Sequence, residues 1–345
     1  MNDCPVPKRS YDAVVLGHGS GGRLTSDLIE GVFLPQLGHV RAPLEDQALL
    51  ELGAAGRRLA FTTDSFVVRP LFFPGGDIGK LAVHGTVNDL AVGGAVPRFL
   101  SAAFILEEGL PLEDLGRIVR SMRDACAEAG VDLVTGDTKV VERGKGDGVF
   151  ITTSGVGVVP EGRALSIAGA RPGDVVLVSG PVGDHGIAIL SVREGLELET
   201  DLVSDSASLH DLCAAVLEVC PETRLMRDPT RGGLAGTLCD IARGSRVGVR
   251  ISEPAIPVRS EVRAACELLG LDPLHVACEG RLVAVVPPER AEATLDAMRA
   301  HPKGCAGAII GEIAAEDAGL VVLTSSFGSM RVVSPLLGEQ LPRIC

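Results

Sequence analysis

Four aspartates in this sequence share a setting that suits the binding of a divalent cation. Each lies at the end of a predicted strand or the start of a predicted helix, among Gly and Thr residues: Asp64, Asp89, Asp137 and Asp228. Mg²⁺ takes oxygen ligands and is held by a few carboxylates together with substrate phosphates. A single aspartate beside Gly or Thr is more often a helix cap or a turn residue. As a set, however, the four aspartates predict a site for Mg²⁺ and a nucleotide.

A glycine-rich loop near the start of the sequence is a second candidate for phosphate binding. Gly17–Gly22 follows an apolar run and fits the pattern G-x-G-x-x-G of dinucleotide-binding folds. Those folds also need a buried strand that ends in an acid about 20 residues further on, and here proline and glycine interrupt that segment. We therefore favour a loop that closes over a phosphate through the N–H groups near Gly19, Gly21 and Gly22. A structural turn is the alternative.

The last residue of the sequence, Cys345, is a third candidate because a thiol can carry a reacting group. Pro342 favours an extended chain before it, which could enter a narrow channel. Arg343 favours the thiolate, whereas an adjacent α-carboxylate disfavours it. A prenylation signal would need the cysteine four residues from the end. Composition alone gives Cys345 no role, so its interpretation depends on the rest of the sequence.

The elements that must position these residues alternate between short strands and amphipathic helices. The clearest helix is Pro111–Ala129, which Gly130 ends, and Leu209–Cys220 repeats its apolar pattern. Turn residues near 160–173 indicate a boundary, so the predicted fold class is α+β, of the two-domain α/β type. The predicted strands include Leu59–Thr63, Phe99–Leu106, Val131–Thr135, Val149–Val156, Val175–Ser179, Val247–Ile251, Leu282–Val286 and Leu320–Thr324.

Composition excludes several classes of function. The chain has 345 residues, of which 46% are hydrophobic and 22% charged, as expected for a globular protein of about two domains. Its net charge of −13 argues against nucleic acid or an anionic membrane as a partner. Nine cysteines without a Cys-x-x-Cys pair indicate neither a disulfide framework nor a zinc cluster. Because it lacks a signal-peptide pattern and a membrane-length apolar run, we expect a cytoplasmic protein.

Several motifs together resemble the HypE family of hydrogenase-maturation proteins. This family belongs to the superfamily of aminoimidazole ribonucleotide synthetase and selenophosphate synthetase, which the internal motifs mainly indicate. The terminal Pro-Arg-Ile-Cys is specific to HypE, and the resemblance extends from Gly17 to Cys345. The motifs are Phe72–Lys80, Gly85–Leu90, Val134–Val141, Ser179–Ile189, Asp228–Leu234 and Pro342–Cys345.

The resemblance implies an organisation into two domains and a tail. Residues 1–160 would form an N-terminal domain for ATP binding and dimerisation, and residues 161–334 an α/β C-terminal domain. Residues 335–345 would form a flexible C-terminal tail that carries Cys345. The N-terminal sheets of two subunits would pair into a β-barrel that spans a homodimer, and ATP would lie in the cleft between the domains.

The resemblance also implies an enzyme, an ATP-dependent carbamoyl dehydratase that acts on its own Cys345. A carbamoyl group on the cysteine sulfur would lose water and become a thiocyanate, the source of cyanide ligands for the iron of NiFe-hydrogenase. ATP and Mg²⁺ would be required, because phosphorylation makes the carbamoyl oxygen a better leaving group. The implied partners are the carbamoyltransferase HypF, which loads the carbamoyl group, and the HypC–HypD complex, which accepts the cyanide.

Carried over motif by motif, the resemblance assigns roles to individual residues. Lys139 and Glu279 become candidate bases that take the N–H proton of the carbamoyl group. The family typically has Asn before this glutamate, whereas this chain has Cys278. The implied metal ligands are Asp46, Asp64, Asp89 and Asp228. The implied ATP and phosphate contacts are Gly19, Gly21, Gly22, Lys80, Thr86, Asn88, Asp137 and Arg231.

Two alternatives stay open at the level of the sequence. One is a small-molecule ATP enzyme similar to selenophosphate synthetase, although such enzymes usually carry a reactive Cys or selenocysteine close to the glycine-rich loop. Here Cys4 lies well before Gly17. The other is a non-catalytic scaffold that binds nucleotide and docks maturation proteins. ATP turnover distinguishes an enzyme from a scaffold, and dependence of the product on Cys345 distinguishes HypE from its relatives.

Overall fold

The computed structural model describes residues 22–33, 45–52, 57–195, 202–336, 338 and 343–345, so the predicted phosphate contacts Gly19 and Gly21 lie outside the described residues. The described strands form two large sheets and one small hairpin. The strands are β1 (Ala48–Leu52), β2 (Arg57–Phe66), β3 (Phe72–Phe73), β4 (Gly76–Asp77), β5 (Val96–Glu107), β6 (Asp132–Val141), β7 (Val149–Val159), β8 (Val175–Val178), β9 (Leu225–Arg227), β10 (Gly248–Ser252), β11 (Val283–Val286), β12 (Ala308–Ala314), β13 (Val321–Thr324) and β14 (Met330–Val333).

The described helices cover the sheets. The predicted helix Pro111–Ala129 is confirmed as α3, which ends at Gly130 in a left-handed conformation (φ 65°). None of the helices within the described ranges is both long and apolar enough to cross a bilayer. The helices are α1 (Arg23–Leu28), α2 (Ile78–Val92), α3 (Leu112–Ala129), α4 (Asp184–Arg193), α5 (His210–Val219), α6 (Gly233–Ser245), α7 (Ser260–Leu269) and α8 (Ala291–Ala300), with a π-helical turn at Ile29–Phe33 and 3₁₀ turns at Glu253–Ala255, Pro273–His275, Pro288–Arg290 and Pro302–Gly304.

The first sheet has the strand order β1-β2-β7-β5-β6 and is antiparallel except for the parallel pair β5–β6. Side chains alternate between its faces, so Ala60, Thr62 and Phe66 of β2 are buried on the side that the helices cover. The opposite face carries exposed apolar side chains, among them Phe61 at 40% and Phe99 at 47%. The described strands of this chain therefore form an open sheet with one uncovered apolar face.

The second sheet has the strand order β14-β13-β10-β12-β8-β11-β9. Its central strands β8 and β11 are antiparallel neighbours. Alternate residues of β11 enter two apolar clusters, Val283 and Val285 on one side and Ala284 and Val286 on the other. Strands that are covered on both faces consist of continuous apolar residues, and this explains why both strands are recognisable in the sequence.

Helix α2 lies between the two sheets and is buried on almost every side. Asp77 caps it, because its Oδ1 accepts hydrogen bonds from the N–H groups of Gly79 (2.8 Å) and Lys80 (3.2 Å). The helix approaches β2 closely at Gly85, where a Cβ would lie 2.9 Å from the Phe66 ring. This close contact brings the polar residues of α2 next to those of β2.

Candidate active site

Asp64 and Asp89 meet where β2 packs against α2. Asp64 lies on the helix-covered side of the first sheet, and its carboxyl shares a hydrogen bond with that of Asp89. The Thr62 hydroxyl lies 2.7 Å from Asp89 Oδ2 and 2.8 Å from the carbonyl oxygen of Asp46, so it donates to one of these two oxygens. Because two ionised carboxyls this close together repel each other, a proton or a cation between them would stabilise the pair.

Asp228 and Asp46 approach the same place from two other elements. Asp228 follows β9 directly and is 9% exposed. The chain then turns into α6 at Gly233, where φ is 61° and a Cβ would lie 2.6 Å from the carbonyl oxygen of Leu274. Asp46 Oδ2 lies 2.8 Å from Arg227 Nη1. The glycine turn therefore holds Asp228 beside the other acids, and Arg227 holds Asp46.

Burial raises the pKa of every carboxyl in this acid cluster, which we define as Asp46, Asp64, Asp89 and Asp228. For Asp46 the pKa rises to about 6, although Arg227 opposes the shift. Burial and the charge of Asp46 raise the pKa of Asp228 to about 7. Burial and the charge of Asp64 raise the pKa of Asp89 well above its ordinary value, and burial also raises the pKa of Asp64. A cation that binds at the cluster would therefore compete with protons for these carboxyls.

The acid cluster has the chemistry of an Mg²⁺ site that a nucleotide completes. Buried carboxylates that repel one another are stabilised when a cation neutralises them. Within the described ranges, no three His, Cys, Asp or Glu side chains are close enough together to hold an ion by themselves. Mg²⁺ commonly uses one or two carboxylates and takes its other ligands from phosphates and water. The predicted ion therefore fits this arrangement.

Cys345 lies beside Glu279 next to the acid cluster. The Cys345 thiol lies next to the Glu279 side chain and interacts with it, and Arg231 is near both groups. Burial and the charge of Glu279 raise the pKa of the thiol, so it is protonated at neutral pH. Burial and the charge of Asp228 raise the pKa of Glu279 well above its ordinary value. A carbamoyl group on this sulfur would lie within reach of the Glu279 carboxyl.

The tail segment, residues 343–345, enters the site beside the chain that follows β2. The N–H of Val67 donates to the carbonyl oxygen of the last residue (3.2 Å), and the N–H of Arg69 donates to that of Arg343 (3.1 Å). This spacing is that of a short antiparallel strand pair. Between these bonds, Ile344 is 4% exposed and joins the apolar cluster of the first sheet. Main-chain hydrogen bonds and the buried side chain of Ile344 thus hold the tail segment in place.

The backbone around Glu279 is fixed by a neighbouring segment. Asp205 Oδ1 accepts a hydrogen bond from the N–H of Glu279 (3.0 Å), and the N–H of Ala207 donates to the Glu279 carbonyl oxygen (3.3 Å). At Gly280 a Cβ would lie 1.8 Å from the carbonyl oxygen of Asp205, so the two backbones touch. Among the described residues, Glu279 Oε1 is buried without a hydrogen-bond partner, and it can therefore accept a proton from a bound group.

Sequence reasoning missed a charged network behind Glu279. Arg281 Nη2 lies 3.1 Å from Asp184 Oδ2, and Arg281 Nε lies 3.4 Å from Asp205 Oδ2. Arg259 Nε adds a second contact to Asp184 at 3.0 Å. Asp184 belongs to one of the motifs behind the resemblance, whereas Asp205 and Arg281 stand in no recognisable motif. The network supports the segment that carries Glu279.

Asp137 and Lys139 lie on the other face of the first sheet. Strand pairing places Gly136 beside Ala102, in the row of residues that contains Asp64. Because side chains alternate along a strand, positions 137 and 139 point to the uncovered face. Lys139 Nζ lies 2.7 Å from Asp137 Oδ2, and the two side chains are 70% and 66% exposed. Within one chain, the structure does not bring these two predicted residues to the acid cluster.

Two predicted nucleotide contacts on α2 form hydrogen bonds within the protein. Thr86 Oγ1 lies 2.5 Å from Thr153 Oγ1, in the buried contact between α2 and β7. Asn88 Oδ1 accepts from the N–H of Leu209 (2.7 Å), and its Nδ2 donates to the carbonyl oxygen of Ala207 (3.0 Å). In this structure Thr86 therefore joins the sheet to the helix, and Asn88 joins the helix to the segment that supports Glu279.

The other predicted phosphate contacts are more widely separated. Lys80 lies in the first turn of α2, where its Nζ donates to the carbonyl oxygen of Gly75 (3.4 Å), and it lines a surface cleft with Phe72 and Arg117. Gly22 is buried at the N-terminus of α1. Arg231, by contrast, lies beside Cys345, and this proximity raises the pKa of its guanidinium. Of these three residues, the structure brings Arg231 to the sulfur of Cys345.

Comparison with known proteins accounts for this arrangement. Residues 44–159 match the N-terminal domain of the AIR synthase related protein family, and residues 171–323 match its C-terminal domain. The chain is 59% identical over 334 residues to the carbamoyl dehydratase HypE of Azotobacter vinelandii, across 96% of this chain and 97% of that protein. The chain belongs to the HypE family. The resemblance that the motifs predict is thereby confirmed.

Two solved structures of HypE proteins share the fold. A HypE–HypF complex superposes with a TM-score of 0.84 and 48% identity, across 90% of this chain and 99% of that chain. A HypE in complex with ATP superposes with a TM-score of 0.81 and 50% identity, across 96% of this chain and 100% of that chain. The arrangement of two sheets described above is therefore that of the HypE fold.

Cys278 stands where the HypE pattern typically has Asn. Its Sγ accepts a hydrogen bond from the N–H of Gly183 (3.2 Å), a bond that an Asn side-chain oxygen could also accept. Cys278 packs into the apolar cluster of the second sheet, whereas its neighbour Ala277 joins the cluster that contains Ile344. The Cys278 side chain therefore points away from the tail segment, and the substitution leaves the support of Glu279 in place.

Proposed function

We propose that this protein is an ATP-dependent carbamoyl dehydratase of hydrogenase maturation that acts on a carbamoyl group carried by Cys345. The observation that carries the proposal is the contact between the Cys345 thiol and Glu279, beside Arg231 and the acid cluster. A small-molecule kinase would need this space for its substrate. Here the last residue of the chain itself fills it.

The proposed reaction balances without a redox partner. Phosphorylation of the carbamoyl oxygen by ATP releases ADP and converts a poor leaving group into phosphate. The nitrogen gives up both of its protons, one when the carbamoyl oxygen is phosphorylated and one as the C–O bond breaks and the C≡N bond forms. S-carbamoylcysteine and ATP thereby become S-cyanocysteine, ADP, phosphate and a proton. Positioning and neutralisation of charge supply most of the catalysis in such phosphoryl transfers.

Glu279 is the proposed base for the N–H proton. Its side chain reaches the sulfur, and a raised pKa suits a base that works near neutral pH. Arg231 is the proposed contact for the phosphorylated oxygen, because it lies beside the same sulfur. Lys139 stays a proposed second base, and its exposed position means that it could act only at a site to which another chain brings it.

Mg²⁺ and ATP are the proposed cofactors. The acid cluster would hold Mg²⁺, which supplies neutralisation of charge on the transferred phosphoryl group. The proposed ATP site lies between the two domains, whose boundaries we place at residues 1–160 and 161–334, with the tail at 335–345. The remaining proposed ATP contacts are Gly19, Gly21, Gly22, Lys80, Thr86, Asn88 and Asp137.

A homodimer is the proposed assembly, formed through the uncovered face of the first sheet. Several large apolar side chains of this face are exposed, including Phe61, Phe99 and Ile105, and an exposed apolar patch of this kind commonly marks an interface. A barrel shared by two subunits would bury them. HypF as the carbamoyl donor and the HypC–HypD complex as the cyanide acceptor are the proposed partners, in the cytoplasm.

Intact-mass spectrometry tests the proposed reaction directly. The protein is incubated with ATP, Mg²⁺ and a carbamoyl-loading system, and the carbamoylated species is expected to lose the mass of one water. Cys345→Ala should fold and give neither species, because no other thiol contacts Glu279 in the described residues. Cys305→Ala, which removes an exposed cysteine elsewhere, should behave as wild type. A carbamoylated product on the Cys345→Ala variant would contradict the proposal.

A further inference from the structure

Backbone hydrogen bonds alone do not fix the register in which the tail segment pairs with the chain that follows β2. The bonds from Val67 and Arg69 are main-chain contacts that any sequence could make, and a strand added at an edge gains its register from side chains. Ile344 supplies one such contact through its burial. At the exposed end of the segment, Arg193 donates to the carbonyl oxygen of Arg343 (2.6 Å), and Arg343 pairs with Asp147. At the buried end, nearest to Cys345, a further contact comes from His185, which belongs to a motif of the sequence that the proposed chemistry leaves without a role.

His185 forms a hydrogen bond at each ring nitrogen. Its Nε2 lies 2.7 Å from the carbonyl oxygen of Ile344, and its Nδ1 lies 2.7 Å from Ser204 Oγ. The ring is fully buried and meets the ring of Phe73 edge-on, with centroids 5.6 Å apart. The bond from Nε2 is a side-chain contact with the backbone of the tail segment. The contact joins the tail segment to the start of α4.

These partners fix the tautomer of His185. A carbonyl oxygen only accepts hydrogen bonds, so Nε2 carries the proton and donates to Ile344. Nδ1 of the neutral ring is then an acceptor, and Ser204 must donate to it. The Ser204 hydroxyl oxygen accepts a hydrogen bond from the N–H of Ser206 (3.0 Å), and this bond leaves the hydroxyl proton available for donation to Nδ1. Burial lowers the pKa of His185 to about 4, which keeps the ring neutral.

Ser204 is itself held by the first domain. Its N–H donates to the carbonyl oxygen of Pro74 (2.8 Å), and at Gly75 a Cβ would lie 2.9 Å from the Ser204 carbonyl oxygen. The next residue, Asp205, accepts the N–H of Glu279. The same segment therefore does two things: Ser204 orients His185 toward the tail segment, and Asp205 positions Glu279 beside the Cys345 thiol.

We propose that His185 is a positioning residue that docks the tail segment, so that Cys345 stops beside Glu279. The inference rests on the proposed function in one respect: a sulfur that is loaded by one partner and unloaded by another must leave the site, so docking has to be reversible. A single hydrogen bond to a backbone carbonyl, aimed by Ser204, suits a contact that forms and breaks in each cycle. The bond fixes the position of the chain whatever group the sulfur carries.

The test measures how fast Cys345 reacts with N-ethylmaleimide in the unloaded protein. A background that lacks Cys4 and Cys305 removes the cysteine outside the described residues and the exposed one, and intact mass follows the remaining modification. His185→Ala should accelerate alkylation of Cys345 about tenfold, because loss of one hydrogen bond shifts the docking equilibrium by about that factor. His185→Gln keeps a side-chain N–H donor and should restore a rate close to wild type.

His84→Ala is the matched control. His84 is also fully buried and bonds a serine of the same segment, Ser206, at 3.1 Å, but none of its hydrogen bonds goes to the tail segment. It should leave the alkylation rate within about twofold of wild type. Equal acceleration in His84→Ala and His185→Ala would mean general loosening and would overturn the proposal, as would an unchanged rate in His185→Ala.

A second variant and a kinetic measurement test the docking role of His185 in other ways. If His185→Ala does not fold, Ser204→Ala removes the donor to Nδ1 and should accelerate alkylation about threefold, and a wild-type rate would overturn the proposal. In preloaded protein, His185→Ala should lower the single-turnover rate of thiocyanate formation about tenfold without changing ATP affinity. Because alkylation needs no substrate, absence of thiocyanate from wild type would contradict the proposed function and leave the docking result intact.

Discussion

Glu279 and Lys139 were equally good candidates for the catalytic base, yet they occupy opposite environments. Glu279 is 2% exposed, its backbone is held at both ends by residues 205–207, and its carboxyl faces the thiol of Cys345. Lys139 is 70% exposed on the edge strand β6 and pairs with Asp137 two positions away. Within one chain, Glu279 lies beside the Cys345 sulfur and Lys139 does not.

The difference shows that the surroundings of each carboxyl, more than its residue type, set the direction of its pKa shift at these positions. Burial raises the pKa of Glu279 and of the acid cluster, whereas the hydrogen bond from Lys139 lowers the pKa of Asp137. An exposed ion pair contributes little free energy. The Asp137–Lys139 pair therefore gains a chemical role only if a second chain covers it, which the proposed dimer would do.

The largest expected effect tests the buried side of this comparison at Asp89. Asp89→Asn keeps the size of the side chain but removes a ligand charge from the acid cluster, so Mg²⁺-dependent ATP turnover should fall to background while the fold remains. Turnover is measured at saturating Mg²⁺. Asp124→Asn, on the exposed side of α3, is the control and should turn over ATP as wild type does. Wild-type turnover by Asp89→Asn would contradict the metal assignment.

The second prediction concerns the base itself. Glu279→Gln preserves the shape of the side chain and cannot take a proton, so thiocyanate formation from preloaded Cys345 should slow by about 10²–10⁴-fold. ATP binding should remain, because the acid cluster is unchanged. Single-turnover mass spectrometry measures the rate, and Glu142→Gln at an exposed position is the control. A less than tenfold effect would assign the proton transfer to another group.

The fold was predictable where the sequence carries local signals. The amphipathic face of α3 and its Gly130 end follow from spacing, and the buried strands β8 and β11 follow from unbroken apolar runs. Helix α2 has no such signal, because it is buried on almost every side and its apolar residues follow no single face. Short edge strands such as β14 pair through tertiary contacts, and nothing in their own sequence marks them.

The site was predictable in its chemistry more than in its geometry. Spacing and motif identify Asp64, Asp89 and Asp228, and the structure brings them together. No local pattern could show that positions 137 and 139 fall on the opposite face from Asp64, because strand register is set by pairing with β5 and β7. Residues 204–208 were missed for a similar reason, since their role depends on contacts with distant segments.

The third prediction tests the exposed side of the comparison. If Lys139 acts at the site of a partner subunit, a mixed dimer of Lys139→Met and Glu279→Gln chains contains one intact site. Co-expression should then restore about a quarter of wild-type thiocyanate formation, because half of the dimers are mixed and each has one working site.

The control for this experiment uses two residues that meet within one chain. Glu279→Gln mixed with Cys345→Ala leaves no intact site, because the thiol and the carboxyl that it contacts belong to the same chain. This mixture should stay inactive. Recovery in the control alone would place the tail of one chain in the site of the other, and no recovery in the Lys139 mixture would remove Lys139 from the proposed mechanism.

The smallest expected effect is a pH dependence of stability that belongs to the buried acids. Asp228 has a pKa of about 7 in the folded protein, against about 3.9 in an unfolded chain. Between these values the folded state binds more protons than the unfolded state, so this group's contribution to the free energy of unfolding falls as pH rises from about 4 to about 7. Asp228→Asn has no carboxyl at this position, so its free energy of unfolding should not show this fall with pH.

Thermal and urea unfolding in EDTA measure the contribution as a difference between variants, so that histidines with lowered pKa values cancel. Asp228→Asn should match wild type near pH 4.5 and exceed it near pH 8 by on the order of 3 kcal/mol. Asp137→Asn, at the exposed pair, should change stability equally at both pH values. Mg²⁺ should raise the stability of wild type more at pH 8 than at pH 6, because fewer protons then compete for the carboxylates. If the difference in free energy of unfolding between Asp228→Asn and wild type does not change with pH, the Asp228 carboxyl is ionised over the whole range. The buried and exposed acids would then not differ in the pH at which they lose their protons.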